Sequence, residues 1–460
     1  MRYISTRGDA PVLDFEQAML TGLARDGGLY LPDSIPQPED IAGLESLSYE
    51  HAALRIIRPF LGDSFTDAEL TFALDAAYAD FGHIARAPLH QLAPGQHLLE
   101  LFHGPTLAFK DFAMQLIGQL FQIALARSGQ RITIVGATSG DTGSAAIEAF
   151  RGLPNVDVFI LFPDGRVSDV QRRQMTTPED ANVHALALNG HFDDCQARLK
   201  ELFNDHAFRD QVGLAGVNSI NWARVLAQVI YYFTAAVSLG APGRTVDFTV
   251  PTGNFGDILA GLVAKRMGLS IGQLVIATNQ NDILHRALTM GEYRMGEVAP
   301  SMSPSMDIQV SSNFERALFW AYGSDPAAIR QLMSELRQGG FTISQGALQA
   351  LQEDFVSGRT SEAETLDMIR TIRTETGKIL CPHSAVGVKV AREHLRPGIP
   401  MITLATAHPA KFPDAVERAV GIRPGLPPHM ENLFDKPERV TRVENDVEAL
   451  KALILERRKV

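Results

Sequence analysis

Short apolar runs separated by helix-like stretches dominate the chain from Leu98 onward. The runs fall at 132–137, 156–162, 183–188, 245–250, 274–278 and 401–405. They are continuous rather than alternating, the pattern of strands covered on both faces. With helical stretches between them, they predict right-handed βαβ units and parallel sheets flanked by helices. Residues 1–91 read instead as mainly helical, with loops at 32–38 and 62–66. Within that region Leu70, Ala73, Leu74, Ala77 and Phe81 recur at three- and four-residue intervals, which suits a helix face packed on the main body. The most apolar long stretch, 225–241, contains Gln228, Thr234 and Ser238 and is short for a membrane span, so it predicts a buried helix. Residues 324–376 read as helical, charged and peripheral. The chain ends in an amphipathic helix with Val447, Leu450, Leu453 and Ile454 on one face, and Arg457, Arg458 and Lys459 suit the negative end of its dipole.

Composition narrows the class. A chain of 460 residues, 45% of them hydrophobic, can bury a large core in two or three domains. A net charge of −11 argues against nucleic acid as a main partner, and any anionic ligand must be held by local groups. Cys195 and Cys381 are too few for a disulfide framework and show no metal-ligand spacing, so both are read as buried small residues and no metal site is expected. The first nine residues lack the apolar core of a signal peptide, and a soluble cytoplasmic protein is expected.

Three segments carry candidate chemistry. The stretch 103–113, HGPTLAFKDFA, sets Lys110 behind Leu107, Ala108 and Phe109, just after a Gly-Pro turn. A lysine in apolar surroundings can lose its proton near neutral pH, and a neutral amine can form a Schiff base with a carbonyl. Next, the strand at 132–137 runs into Thr138, Ser139, Gly140, Asp141 and Thr142 at the start of a helix rich in small residues. Free N–H groups and the positive end of the helix dipole suit a carboxylate there. The loop is neither a G-x-G-x-x-G fingerprint nor a P-loop. The third segment repeats the design: strand 245–250, then Pro251, Thr252, Gly253, Asn254, Phe255 and Gly256, then a helix over 257–267. Its glycines let the backbone wrap a phosphate, with Asp257 expected to cap the helix. Together, a Schiff-base lysine, a carboxylate loop and a phosphate cradle describe a site for pyridoxal 5′-phosphate and an amino acid.

At these residues the chain resembles the threonine synthases, of the fold-type II group of pyridoxal-phosphate enzymes. The resemblance runs most of the length, through 22–32 (GLARDGGLYLP), 218–224 (NSINWAR), 277–284 (ATNQNDIL), 303–308 (SPSMDI), 311–316 (SSNFER) and 406–412 (TAHPAKF). It is nearer the bacterial and fungal branch than the plant one. It implies an α/β fold of the tryptophan synthase beta type, two parallel-sheet lobes with the cofactor between them. The expected division is a helical region at 1–91, a large domain from 92–109 and 241–460, and a small domain at 110–240.

The resemblance also implies roles. Lys110 would hold the cofactor and then act as the base. Gly253, Asn254, Phe255 and Gly256 would bind its phosphate through backbone N–H groups, and Thr406 would meet the pyridine nitrogen. Thr138, Ser139, Asp141 and Thr142 match the loop that meets the substrate carboxylate. Asp141 lies near the cofactor's ring hydroxyl, where many relatives outside the threonine synthases carry Asn. Asn218, Ser219, Asn221 and Arg224 match the site for the substrate's own phosphate; the alternative for Arg224 is an ion pair with a nearby acid. His103, His383 and His408 are expected to make structural hydrogen bonds. The implied reaction turns O-phospho-L-homoserine and water into L-threonine and phosphate, in a monomer or a homodimer without membrane or nucleic-acid partners. The alternatives are a phospho-lyase or dehydratase giving a 2-oxo acid and ammonia, and an inactive cofactor-binding homologue acting through interactions.

Overall fold

Two sheets carry the molecule in the computed structural model, which describes residues 1–459. The larger has six strands, in the order Phe355–Arg359, Ile271–Thr278, Val246–Pro251, Met401–Ala405, Gln96–Glu100 and Leu89–Ala93. All neighbours are parallel except the last pair. The smaller has five parallel strands, Thr441–Val443, Val183–Leu188, Val156–Pro163, Ile132–Ala137 and Leu214–Ala215. Every residue of Val156–Pro163 and of Val246–Pro251 is buried. Burial on both faces explains why these runs lack alternation.

The helix Trp222–Ser238 has all but Thr234 and Ser238 buried. It packs on the helices Tyr49–Leu61, Lys110–Ser128 and Gly256–Arg266, and so joins the N-terminal region to the lobes. Its Val, Leu, Ile and Phe side chains each contribute about 1.5–3 kcal/mol on burial, enough to carry the polar Arg224 and Gln228 inward with them. Among the described residues no helix is long and apolar enough to cross a membrane.

Three expectations need refinement or correction. Residues 1–91 are mainly helical but also hold strands: Tyr3–Ser5 pairs with Tyr30–Pro32, and Leu89–Ala93 edges the larger sheet. The first two, of three residues each, are too short to show a period of two. The stretch 324–376 is not wholly peripheral, since Phe355–Arg359 extends the larger sheet beside Ile271–Thr278. The third correction concerns the end of the chain, which does not stay with the large domain. Thr441–Val443 adds an edge to the smaller sheet, and Leu450 and Ile454 of Val447–Arg457 fill a cluster with Phe159, Leu186 and Phe208. The amphipathic face was legible, but the surface that covers it lies more than 200 residues upstream.

The helix bearing Lys110 lies close against the helix bearing Asp141. A Cβ at Gly118 would fall 2.5 Å from the carbonyl oxygen of Ala149, which cannot swing away. Helix propensity favours Gly118→Ala by about 1 kcal/mol, but forcing apart two packed backbones costs about 1–3 kcal/mol. Denaturant unfolding of Gly118→Ala should show the clash winning; a variant more stable than the parent would mean these helices can separate freely.

Candidate active site

The loops that carry Lys110, Ser139, Asn218, Gly253 and Thr406 leave the carboxyl ends of parallel strands, where such sheets open to ligands, and the segment 304–312 adds a further wall. The turn before Lys110 follows Gln96–Glu100 and is fixed from both sides. Phe109 N–H donates to the Thr406 carbonyl at 2.8 Å, and His408 N–H to the Leu107 carbonyl at 3.0 Å. Leu107 adopts φ +63°, a strained value for a branched residue, held by this clamp. The Asp111 carboxylate accepts from Thr106 N–H at 2.9 Å and from the Thr106 hydroxyl at 2.5 Å. Burial pushes Asp111 up to about 6 despite these bonds.

Lys110 is 8% exposed, its Nζ 3.6 Å from Asp141 Oδ2 and 4.7 Å from the centre of the Phe109 ring. Burial lowers the Lys110 ammonium below its ordinary value; Asp141 opposes the shift, while Arg224 and Lys411 add to it. Asp141 opens the helix Asp141–Phe150. Burial alone would raise it, yet the Lys411 and Lys110 ammoniums and the Gln171 amide hold its carboxyl well below the usual range. The Thr138 hydroxyl accepts from Gly140 N–H and Gly143 N–H, both at 2.9 Å, and so shapes the loop. Ser139 and Thr142 line the cavity beside it.

On the opposite wall, Phe255 takes φ +64° to turn the chain into Gly256–Arg266. A Cβ at Gly253 would lie 2.5 Å from the Ser305 carbonyl oxygen, so only glycine lets the loop sit so close to that segment. Asp257 does not cap this helix. It is buried and accepts from the Tyr231 hydroxyl at 2.5 Å and the Tyr232 hydroxyl at 3.1 Å. Burial pushes Asp257 up to about 6 against those two bonds.

The cavity between these walls measures about 410 Å³ and is lined by Lys110, Ser139, Asn218, Arg224, Gly253 and Thr406, among others. Its wall holds polar groups without protein partners among the described residues: Arg224 Nε, Asn218 Oδ1, Gln228 Oε1, Asp257 Oδ2 and His383 Nδ1. Arg224 is 3% exposed and reaches only the Val217 carbonyl, at 3.5 Å. No acid lies within ion-pair distance of it among the described residues, so the ion-pair alternative fails. Burial lowers its guanidinium to about 10. A buried, unpaired guanidinium costs several kcal/mol unless a ligand anion meets it. The lysine, the open amides of the glycine turn and this arginine therefore fit pyridoxal 5′-phosphate together with an anionic substrate.

Asn221 departs from expectation. Its amide donates to the Met19 and Gly216 carbonyls at 2.8 and 3.0 Å, while its oxygen caps Trp222–Ser238 through Ala223 N–H. With every polar atom engaged, it supports the loop and does not face the ligand. Lys411 is the residue sequence reasoning missed. It is 0% exposed and donates to Asp141 Oδ1 at 2.9 Å and to the Thr106 carbonyl at 2.7 Å. Its position five residues after Thr406 was the available signal. His103 bonds Glu100 at 2.8 Å, and His408 caps the turn at Ala410. His383 accepts from Ser305 N–H at 3.3 Å and lines the cavity.

Comparison with known proteins agrees with this geometry. The pyridoxal-phosphate dependent enzyme family model matches residues 82–406. The threonine synthase N terminus model matches 2–78, and the threonine synthase C-terminal model 384–454. The threonine synthase of Pseudomonas aeruginosa is 50% identical over 99% of this chain and 98% of its own. The chain belongs to the threonine synthase family. The crystal structure of pyridoxal phosphate-bound threonine synthase from Brucella melitensis superposes with a TM-score of 0.97 at 56% identity, covering 100% of both chains. The yeast threonine synthase structure gives 0.92 at 41% identity, covering 99% of this chain and 98% of that one. The fold is thus the fold-type II architecture of this family, and its cofactor is pyridoxal 5′-phosphate.

Burial lowers His383 from 6.5 to about 4. Between those values the unfolded chain binds a proton that the native state refuses, so stability falls as the pH drops through that window. For His383 alone the loss reaches about 2 kcal/mol at pH 5. His383→Gln keeps an acceptor for Ser305 N–H and should narrow the stability difference between pH 7 and pH 5 by that amount. An unchanged difference would show that His383 is already charged in the fold.

Proposed function

We infer that this chain converts O-phospho-L-homoserine and water into L-threonine and phosphate, with Lys110 and Arg224 as the residues on which the reaction turns. The observation that carries this reading is the buried, unpaired guanidinium of Arg224, in the same cavity as Lys110. A dehydratase acting on an unphosphorylated amino acid has no anion to place there. Bound pyridoxal 5′-phosphate supplies the electron sink that makes the Cα and Cβ protons of an amino acid acidic. Lys110 holds that group and, once released as a free amine, takes and returns protons along the substrate chain. The N–H groups of Gly253, Asn254, Phe255 and Gly256 bind the cofactor phosphate without any basic side chain, and the Thr406 hydroxyl meets its ring nitrogen. Ser139 and Thr142, with the N-terminus of Asp141–Phe150, bind the substrate carboxylate, and Thr138 keeps their loop in shape.

Arg224, with Asn218 and Ser219, grips the substrate phosphate. That grip stabilises the leaving dianion and draws the lobes together, which excludes bulk water while one water is used. The small lobe comprises 110–240 and the C-terminal pieces on its sheet; 92–109 and the rest of 241–440 form the large lobe, and 1–91 buttresses both. The enzyme works in the cytoplasm, as a monomer or homodimer, with no nucleic-acid or membrane partner.

Lys110→Ala should fold and form no threonine; turnover by a clean preparation would remove it from the mechanism. Arg224→Met should raise the melting temperature of the cofactor-free protein by relieving a buried charge, while costing about 2–5 kcal/mol in kcat/KM for the phosphorylated substrate. With the intact enzyme, phosphate and L-threonine should appear in equal amounts. Phosphate matched by 2-oxobutyrate and ammonia would make the protein a phospho-lyase instead.

A further inference from the structure

Lys411 ends the short helix Pro409–Lys411 and lies wholly out of water. Its two bonds, to Asp141 Oδ1 and to the Thr106 carbonyl, join three separate pieces of the cleft. Thr106 is itself fastened to Asp111, the residue next to Lys110. Asp141 shares its carboxylate between two lysines: one oxygen meets Lys411 at 2.9 Å, the other Lys110 at 3.6 Å. Gln171 Nε2 adds a bond to the first oxygen at 2.8 Å. The carboxylate therefore lies nearer to Lys411 than to Lys110. An Asp141 paired with Lys110 alone would hold the reactive nitrogen as an ammonium.

A mere brace would not need these charges, because buried ion pairs exchanged for apolar residues are often neutral or stabilising. We propose that Lys411 is a positioning residue that draws the Asp141 carboxylate away from Lys110 and so sets the protonation of the Lys110 nitrogen. The inference rests on Lys110 being the cofactor lysine. The other charged and titratable groups facing Lys110 are Arg224 on Trp222–Ser238, Asp257 on Gly256–Arg266 and His383 on Pro382–Glu393. Asp111 is adjacent, but its carboxylate is turned into the Thr106 turn. None of these touches Asp141, so Lys411 is the cation that competes with Lys110 for it.

The signs of the two effects separate the variants. Lys411→Met removes a like charge and leaves Asp141 to Lys110 alone. A spectrophotometric pH titration of the holoenzyme, whose visible band reports the protonation of the Lys110 nitrogen, should then shift its midpoint upward by about one unit or more. Lys411→Arg keeps the charge and should titrate close to the parent. The double variant Lys411→Met/Asp141→Asn loses both charges; Asp141 is the stronger influence on Lys110, so its midpoint should fall below the parent's. A Lys411→Met midpoint that stays or falls, or a double-variant midpoint that stays or rises, overturns the proposal. If Lys411→Met fails to fold, Lys411→Gln, which removes the charge but keeps a donor for Asp141, is titrated in its place and should raise the midpoint in the same way; a Lys411→Gln midpoint that stays or falls overturns the proposal. The titration needs no turnover, so its failure is distinct from failure of the threonine-forming reading, which product analysis judges.

Discussion

Taking Lys110, Asp141, Lys411 and Arg224 out of water at the floor of one cleft is the constraint that organises this molecule. Each ion separately would cost several kcal/mol in such a place. Three of them offset one another, with one carboxylate between two ammoniums. The fourth, Arg224, has no carboxylate within ion-pair distance, so one cationic group stays open to a ligand in the cleft while the chain as a whole carries −11. Local arrangement defeats the overall field, because a low-dielectric wall screens its own charges less than solvent screens those of the surface.

Holding such a cluster demands rigid supports. Apolar strands provide them: Ile132–Ala137, Val246–Pro251, Met401–Ala405 and Gln96–Glu100 all end at the cleft, and each hands its chain to a loop at the same edge. Main-chain bonds then tie the loops to one another, most directly where Phe109 and His408 lock the Lys110 turn to the end of Met401–Ala405. Backbone in the left-handed region at Leu107 and Phe255 is stored strain, and it falls on both sides of the cavity. The aromatic cluster of Tyr49, Tyr78, Phe81 and Phe112 anchors the helix of Lys110 from behind. The N-terminal region is thus part of the support of the site, although it contributes few cavity residues.

The smaller lobe depends on the chain's far end. Thr441–Val443 closes one edge of its sheet, and Val447–Arg457 covers the apolar face that Phe159 and Leu186 would otherwise expose. This link lets the two lobes share one continuous chain at three crossings instead of two, which restrains how they move about the cleft.

Local chemistry made much of this protein readable from its residues. The buried strands showed as unbroken apolar runs because both faces are covered, and the glycine turns showed because only glycine allows the backbone so close to Ser305. Lys110 was legible because an ammonium flanked by Leu107, Ala108 and Phe109 violates ordinary surface patterning. What a single residue touches across the fold was not legible. Asp257 looked like a helix cap, yet Tyr231 and Tyr232, 26 and 25 residues away, claim its carboxylate. Asn221 resembled a ligand contact, yet it spends its amide on Met19 and Gly216. Lys411 stood in a recognisable stretch with nothing local to mark it, because its partners lie 270 and 305 residues upstream. Sequence by itself therefore determined most of the elements, the burial of Lys110 and the glycine turns, which follow from periodicity and backbone freedom. Tertiary structure alone decided which buried charges pair and which stay open for a ligand, because Coulomb and desolvation energies depend on distances that no local pattern encodes.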